Sequence, residues 1–564
     1  MNKKGWTSWI TEEGKKTLEG GYLLPNETQL EMYDRVSISV AKYLGKPELA
    51  DKFYDLMVRN ILCPASPVLS NTGTNRGLPI SCYSIHTADS VDSIFTKQHE
   101  LAMLSKNGGG VGIYLGDVRG RGASISGNGY SDGIVSWAKC FDTVTGAINQ
   151  GSTRRGASAL YLPIEHSDIE EFLRIRRPNQ DVNRYCGNIH QAVSISDDFM
   201  KKVESGDSHA RELFREVLKT RFETGEPYIF FKDNVNRSRP LAYKNNNLEV
   251  VTSNLCSEIL LYTDPEHTFV CCLSSLNLAN WDEFQPDDIY YSTVFLDGVL
   301  NEFIDKAKSK PGFAPAIRSA EKGRALGLGV LGWHTLLQKK MIPIESFQAM
   351  QLNAKIFKTI KEESHRASQD LAKEFGEPEW CKGTGMRNTH TTAIAPTVSN
   401  SIISGGVSAG IEPIAANAFS KKTAKGVFIE YNKQLKSLLE SKGKNTIEVW
   451  RSITNNNGSV QHLDFLDSNE KRVFKTAREI DQGVLIQQAA QRQQFVDQGQ
   501  SLNLFFNANL DPKEFYKLHL EAWKLGINTL YYTRTSSILK ADISSRSVEN
   551  EVKKEPETCL ACEG

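Results

Sequence analysis

Asn254-Leu-Cys256-Ser-Glu258 sets an amide, a thiol and a carboxylate at alternate positions. In an extended segment these three side chains would project to one side. A reactive thiol beside a base and an orienting hydrogen bonder has this composition. The same residues also read as a polar strand edge with one buried cysteine. Cys82, in Leu78-Pro-Ile-Ser-Cys82-Tyr, and Cys271, in Phe269-Val-Cys271-Cys-Leu-Ser-Ser-Leu-Asn277, lie far away in sequence. Cys271 and Cys272 cannot both face one side of a strand, so at most one of them faces a site. Cys559-x-x-Cys562 has redox spacing, and no second pair or nearby histidine completes a zinc site. A shuttling dithiol is the better reading. A flexible tail of ~20 residues spans on the order of 25 Å as a coil, enough to visit a buried site and swing out. Tyr531-Tyr532 is either packing or a pair of redox-active phenols.

Anion-binding candidates are also present. Pro396-Thr-Val-Ser-Asn-Ser401 carries hydroxyls and an amide ahead of a helix, which suits an anion or an ordinary N-cap. Glycine-rich stretches occur at Asn107–Gly112, Arg119–Gly122 and Gln150–Gly156, but none fits a P-loop or a dinucleotide fingerprint. Glycine with arginine still suits close backbone approach to phosphates. Glu362-x-x-His365 is the single ExxH of the chain. A di-iron carboxylate bundle needs two such motifs, so this pair is assigned to an exposed helix face and any required metal to another protein.

The elements that must hold these residues alternate. Val111–Leu115, Ala157–Pro163, Gln191–Ile195, Ala325–Val330 and Thr391–Ala395 read as short buried strands. Ser167-Asp-Ile-Glu170 reads as a capping box. Asp511-Pro512 opens a helix ending near Gly526, and Asn528–Thr533 follows as a strand. Such alternation predicts an α/β architecture with parallel strands, in an open sheet or a barrel. Hydrophobic residues make up 40% of the 564, enough for a large core. Lys+Arg and Asp+Glu are both 67, a balance that argues against a general nucleic-acid or membrane binder. The start is polar, and no apolar run nears the ~20 residues of a spanning helix, so a cytoplasmic enzyme is expected. Of the ten cysteines, Cys63, Cys140, Cys186 and Cys381 read as buried small hydrophobes.

Together and in order, these segments resemble the ribonucleotide reductase catalytic subunit. The resemblance runs from Ser66-Pro-Val-Leu-Ser-Asn71 through Ser81-Cys82, Asn107–Gly112, Gln150–Leu162, Asn254–Glu258, Cys271–Asn277, Arg324–Gly332, Pro396–Ser401, Gly410–Pro413 and Tyr531-Tyr532 to Cys559 and Cys562. It implies that Cys256 carries a thiyl radical that abstracts the ribose 3′-hydrogen. Glu258 would take the 3′-hydroxyl proton, Asn254 would hold the sugar hydroxyls, and Cys82 would protonate the departing 2′-hydroxyl. Cys82 and Cys271 would end as a disulfide, reduced by Cys559 and Cys562 and then by thioredoxin or glutaredoxin. Ser66, Ser81, Gly110, Thr397, Ser399 and Asn400 would bind substrate. Asp92, Ser93, Arg119 and Arg154 would serve a nucleoside triphosphate effector. Tyr531 and Tyr532 resemble the class I relay, which implies a separate radical-generating small subunit and no cofactor bound in this chain.

By the same resemblance, the fold would be a ten-stranded α/β barrel of two five-stranded parallel halves, with Cys256 on a central loop. A helical region (1–60), a barrel (61–534) and a tail (535–564) are expected, as is a homodimer through helices near 91–106 and 132–149. Ser66-Pro comes too early for a full N-terminal ATP-binding domain, so a minimal member, of the kind a phage carries into its host's cytoplasm, is expected. An adenosylcobalamin-dependent reductase with the same site is the alternative. A glycyl-radical form, a nucleotide-binding protein with a dead site and a general thiol–disulfide oxidoreductase fit the motifs less well.

Overall fold

The computed structural model describes residues 3–150, 154–177, 181, 183–423 and 426–535. Strands Cys82–His86, Gly110–Tyr114, Ala157–Pro163, Ile189–Ile195 and Tyr228–Phe231 pair in chain order, all parallel. A second parallel set begins with Phe269–Asn277 and Leu326–Leu331. It continues by the bridge Leu328–Thr392 to the segment 391–395 and by Ile394–Gln500 to the segment 498–506. There Leu504–Phe506 pairs with Thr533–Thr535. The sets meet antiparallel at both seams, Cys82–His86 on Phe269–Asn277 and Thr529–Leu530 on Tyr228–Phe231. Following these pairs around gives the expected barrel of two five-stranded halves.

Phe269–Asn277 shows why the strands read as apolar or small-residue runs rather than alternating ones. All nine of its residues are buried, because it is covered on both faces. Helix Asp288–Ala307 covers it and is itself buried nearly all round, for helix Gln29–Leu44 packs on its other side. That N-terminal helix is bounded by a Thr28/Glu31 capping box and by Gly45, a left-handed C-cap. Asp297, buried in the long helix, is neutralised by Arg324 at 2.9 Å and Arg387 at 3.2 Å. No described helix is long and apolar enough to cross a membrane.

Several local expectations need correction. The capping box at Ser167 is not made: the helix is only Ile169–Phe172, and the Asp168 carboxylate accepts the amides of Arg121 and Ile134. The strand expected over Asn528–Thr533 is broken at the tyrosines, where the chain changes partner from Tyr228–Phe231 to Leu504–Phe506. A satellite core around Leu435, Leu439, Trp450, Ile453 and Phe474, separate from the main one, had no counterpart in the sequence pattern.

Candidate active site

The segment 250–260 is not an extended strand. It turns tightly, with the Ser257 amide donating to the Asn254 carbonyl at 3.3 Å and Ser257 at φ 63°. Expected alternation therefore fails, and the turn itself brings Asn254 and Glu258 together. Asn254 Nδ2 donates to Glu258 Oε1 at 3.0 Å, and Asn254 Oδ1 accepts the Ile259 amide at 3.2 Å. Both barrel halves grip the turn. From the first half, Tyr161 donates its hydroxyl to the Asn254 carbonyl at 2.7 Å. From the second, Ser501 lies 2.7 Å from the Cys256 carbonyl, Gly499 donates to the Glu258 carbonyl at 2.8 Å and Thr529 to that of Ser257 at 2.8 Å. Gly112 explains a strand glycine: a Cβ there would sit 1.9 Å from the Ser253 carbonyl. The turn thus runs through the barrel interior, and Cys256 is buried within it.

Glu258 is only 1% exposed. Burial pushes its carboxyl up to about 7, although hydrogen bonds from Asn254 and Ser501 favour the ionised form. Ser501 Oγ is 3.0 Å from Glu258 Oε2 as well as near the Cys256 carbonyl, and its single proton serves one of them at a time. A carboxyl held near neutrality can accept a proton and return it within one cycle.

Cys82 and Cys271 stand directly opposite each other where the two halves meet. Opposed residues in an antiparallel pair have Cα atoms about 4.5–5.5 Å apart, inside the range a disulfide spans. All eight described cysteines are thiols. Cys271 Sγ accepts from Gln498 Nε2 at 3.4 Å, its thiol is pushed well up by burial, and it feels both Cys82 and Glu258. Cys272, also pushed well up by burial, feels Asp297 and Cys82 but pairs in register with Leu326 of the neighbouring strand. Register therefore favours Cys271 as the partner of Cys82. Gly110 lies beside Cys82 on the next strand and donates its amide to the Ser81 carbonyl at 2.7 Å.

Two short helices converge beside this site. Ser66–Asn71 and Val398–Ile403 are joined by Ser66 Oγ donating to Asn400 Oδ1 at 3.2 Å, while Asn400 Nδ2 donates to the Pro64 carbonyl at 3.0 Å. Thr397 caps the second helix at φ 54°, its hydroxyl accepting the Gly410 amide at 2.7 Å, and Ser399 is buried in the first turn. Cys63 packs here too, 3.7 Å from the Asn400 carbonyl, as a buried thiol; Cys140, expected to be buried, is only half-buried.

Tyr531 and Tyr532 lie with ring centroids 4.4 Å apart, two residues beyond the Thr529 contact with the turn. Tyr228 joins them at 4.8 and 5.0 Å. Asp92 and Ser93 begin helix Val91–Lys106, and Arg119 reaches the same corner by a 2.7 Å ion pair with Asp89. Arg154 lies in a two-residue hairpin strand. Cys559 and Cys562 lie outside the described residues. His365 departs from the exposed face expected for it: it is half-buried, 3.3 Å from Asp497, whose carboxylate also accepts the Thr391 amide. Sequence reading missed Tyr161, Tyr228, Gln498 and Ser501. The polar run Gln498-Gly-Gln-Ser-Leu-Asn503, unusual for a buried strand, was the available signal for the last two.

Opposed thiols, a third thiol on an internal turn and a near-neutral carboxyl inside an α/β barrel define an enzyme of thiol redox chemistry. Comparison with known proteins names the group more closely. A family model described as "Ribonucleotide reductase, barrel domain" matches residues 80–210, 206–383 and 378–533, and one described as "Ribonucleotide reductase, all-alpha domain" matches 9–77. This chain belongs to the ribonucleotide reductase large-subunit family. It is 42% identical to a putative ribonucleoside-diphosphate reductase large subunit of Frog virus 3, over 92% of this chain and 93% of the relative. It is 36% identical to the ribonucleoside-diphosphate reductase large subunit of Invertebrate iridescent virus 3, over 98% of each. Among solved structures, the class Id ribonucleotide reductase alpha subunit of Actinobacillus ureae matches with TM-score 0.88 and 43% identity, covering 95% of this chain and 99% of that one.

Proposed function

We propose that this chain is the catalytic subunit of a class I ribonucleotide reductase and reduces ribonucleoside diphosphates to 2′-deoxyribonucleotides. The carrying observation is Cys82 opposite Cys271, beside a turn that presents Cys256 with Glu258. The diphosphate substrate follows the names of the viral relatives. The class I alpha-subunit neighbour favours a radical supplied by a separate small subunit and speaks against the adenosylcobalamin alternative.

In this reading a Cys256 thiyl takes the ribose 3′-hydrogen atom, and Glu258 takes the 3′-hydroxyl proton while Asn254 holds the sugar. The C2′–O bond breaks, and the hydroxyl leaves as water with a proton from Cys82. Cys82 and Cys271 supply the two electrons and become a disulfide, and Cys256 returns the hydrogen atom to C3′. One ribonucleotide and two thiols thus give one deoxyribonucleotide, one disulfide and one water. Ser81 and Gly110 line the thiol side, and Thr397, Ser399, Asn400 and Ser66 offer hydroxyls and amides to the phosphates. Cys559 and Cys562 reduce the disulfide and are themselves reduced by thioredoxin or glutaredoxin.

Asp92, Ser93, Arg119 and Arg154 form the effector site for a nucleoside triphosphate. Homodimerisation is supported by apolar side chains on helix Val91–Lys106: Val91 is 62% and Phe95 54% exposed, with Phe95 edge-on to Trp137 of helix Ile134–Ala147. The viral relatives favour a host-cytoplasmic enzyme. The decisive assay is cytidine diphosphate reduction with dithiothreitol and a triphosphate effector, run with the small subunit or with adenosylcobalamin. Turnover only with the small subunit is expected; turnover with adenosylcobalamin alone would overturn the class I reading.

A further inference from the structure

Beside Tyr532 lies a buried ionic cluster that none of the roles above uses. Its centre is Glu226, just before strand Tyr228–Phe231 and 3% exposed. Its Oε2 accepts the Gln191 amide at 3.0 Å and lies 3.4 Å from Arg176 Nε. Its Oε1 is 2.5 Å from His190 Nδ1, on the neighbouring barrel strand. Burial alone would raise this carboxyl, but Arg176 and His190 overcome it and hold it down to about 2. An ionised carboxylate at that distance requires His190 Nδ1 to carry the hydrogen. The Tyr532 phenolic oxygen lies 3.3 Å from that same Nδ1, with the two rings edge to face. One N–H is therefore directed between Glu226 and the oxygen of Tyr532.

Charge balance alone does not call for this arrangement, since Arg176 already neutralises the carboxylate. What His190 adds is a hydrogen-bond donor shared with the phenol oxygen, its tautomer fixed by the carboxylate that takes the shorter arm of the same Nδ1–H. We propose that His190, held by Glu226 and Arg176, is a positioning residue for radical transfer, whose Nδ1–H orients Tyr532 and stabilises its phenoxyl form. This rests on Tyr532 being a relay residue. In that step the small subunit's incoming side-chain radical accepts a hydrogen atom. The Tyr532 O–H bond breaks, and its electron and proton leave together. The phenoxyl then takes a hydrogen atom from Tyr531, which takes one from the Cys256 thiol. His190 keeps its own proton throughout. A phenoxyl oxygen has lost its hydrogen and can only accept, so the N–H of His190 is a bond that it can still make when the radical forms.

The test uses the full chain with its small subunit. His190→Leu should lower kcat about tenfold, the worth of one such hydrogen bond, with KM for cytidine diphosphate within about twofold. His190→Asn, which returns an N–H near the Nδ1 position, should restore most of the rate. With 3-aminotyrosine at position 532, trapping the radical should give a high-field electron paramagnetic resonance gx that rises in His190→Leu and returns in His190→Asn. Should His190→Leu fail to fold, the otherwise native aminotyrosine chain with nitrogen-15 histidine decides: a nitrogen-15 hyperfine coupling is expected, and its absence overturns the proposal. Wild-type kcat with unchanged gx in His190→Leu overturns it equally. Tyr532→Phe separates the premise: if it turns over, the relay reading itself falls, whereas a dead Tyr532→Phe beside an indifferent His190→Leu defeats the inference about His190 alone.

Discussion

Two carboxylates lie at similar depth in this barrel and are held in opposite conditions. Glu258, on the internal turn, faces the amide of Asn254 and the hydroxyl of Ser501, both uncharged, and its carboxyl rises to about 7. Glu226, beside the tyrosines, faces Arg176 and His190, and its carboxyl falls to about 2. Burial disfavours the charged form of both, so the charge of the partners decides the outcome. The difference matches what each place must do. In the proposed reaction the carboxyl near the thiols gains and loses a proton close to neutral pH, and a permanent cation there would keep it ionised. Beside the tyrosines a permanently ionised carboxylate fixes the proton of its histidine.

Substitutions on the thiol side should have the largest effects. Cys256→Ser replaces a group that can give up a hydrogen atom readily with one that cannot, so nucleotide reduction should stop altogether. Binding of the triphosphate effector, measured by equilibrium dialysis, should be kept; detectable reduction by this variant would remove Cys256 from the chemistry. Glu258→Gln retains size and hydrogen bonding but removes the base, a loss of about 10²–10⁴ in kcat. Wild-type activity should rise as pH increases through about 7, when Glu258 becomes able to accept a proton, and the variant should lack that limb.

Stability separates the two carboxylates by sign. Glu258 has a folded value above an ordinary glutamate's 4.5, so its contribution is complete below about pH 4.5 and is lost as pH rises through about 7. Glu258→Gln should therefore be the more stable protein above pH 7, by up to ~3 kcal/mol. Glu226 has a depressed value, so its contribution is present above about 4.5 and is lost as pH falls through about 2. Glu226→Gln leaves Arg176 and His190 without their counter-ion and should cost ~3 kcal/mol at pH 7, a gap that closes toward pH 2. Urea unfolding across this pH range measures both, and shifts of the same sign would break the comparison.

The two regions also differed in how far the sequence revealed them. Asn254, Cys256 and Glu258 were visible because three reactive side-chain types crowd into five residues. Their geometry was not, since a tight turn and an extended strand can share that pattern, and what holds the turn comes from distant segments: Tyr161, Gly499, Ser501, Thr529 and the close approach at Gly112. The order of barrel strands was legible where runs such as Ala157–Pro163 are continuously buried. It was weak at 391–395, where pairing shrinks to isolated bridges. Cys82 opposite Cys271 is a long-range register that no local pattern encodes. The ionic cluster was the least legible, because Arg176, His190 and Glu226 come from separate segments and each alone looks like an ordinary surface residue.

The smallest effect is expected where one neutral hydrogen bond tunes Glu258. Ser501 Oγ lies between the Cys256 carbonyl and Glu258 Oε2, and its bond is one of those that favour the ionised carboxylate. Ser501→Ala removes it while leaving Asn254 in place, so Glu258 should become harder to ionise. The rising limb of the activity profile should move to higher pH, with a several-fold loss near pH 7 that shrinks toward pH 9, where the carboxylate is ionised in either protein. Stability should fall by about 1 kcal/mol, the usual worth of one buried hydrogen bond. Profiles of kcat against pH for the two proteins, measured at saturating nucleotide, make the check. A limb that stays in place while kcat drops uniformly would mean that Ser501 acts by holding the turn through the Cys256 carbonyl, and that Asn254 and burial alone set the proton affinity of Glu258.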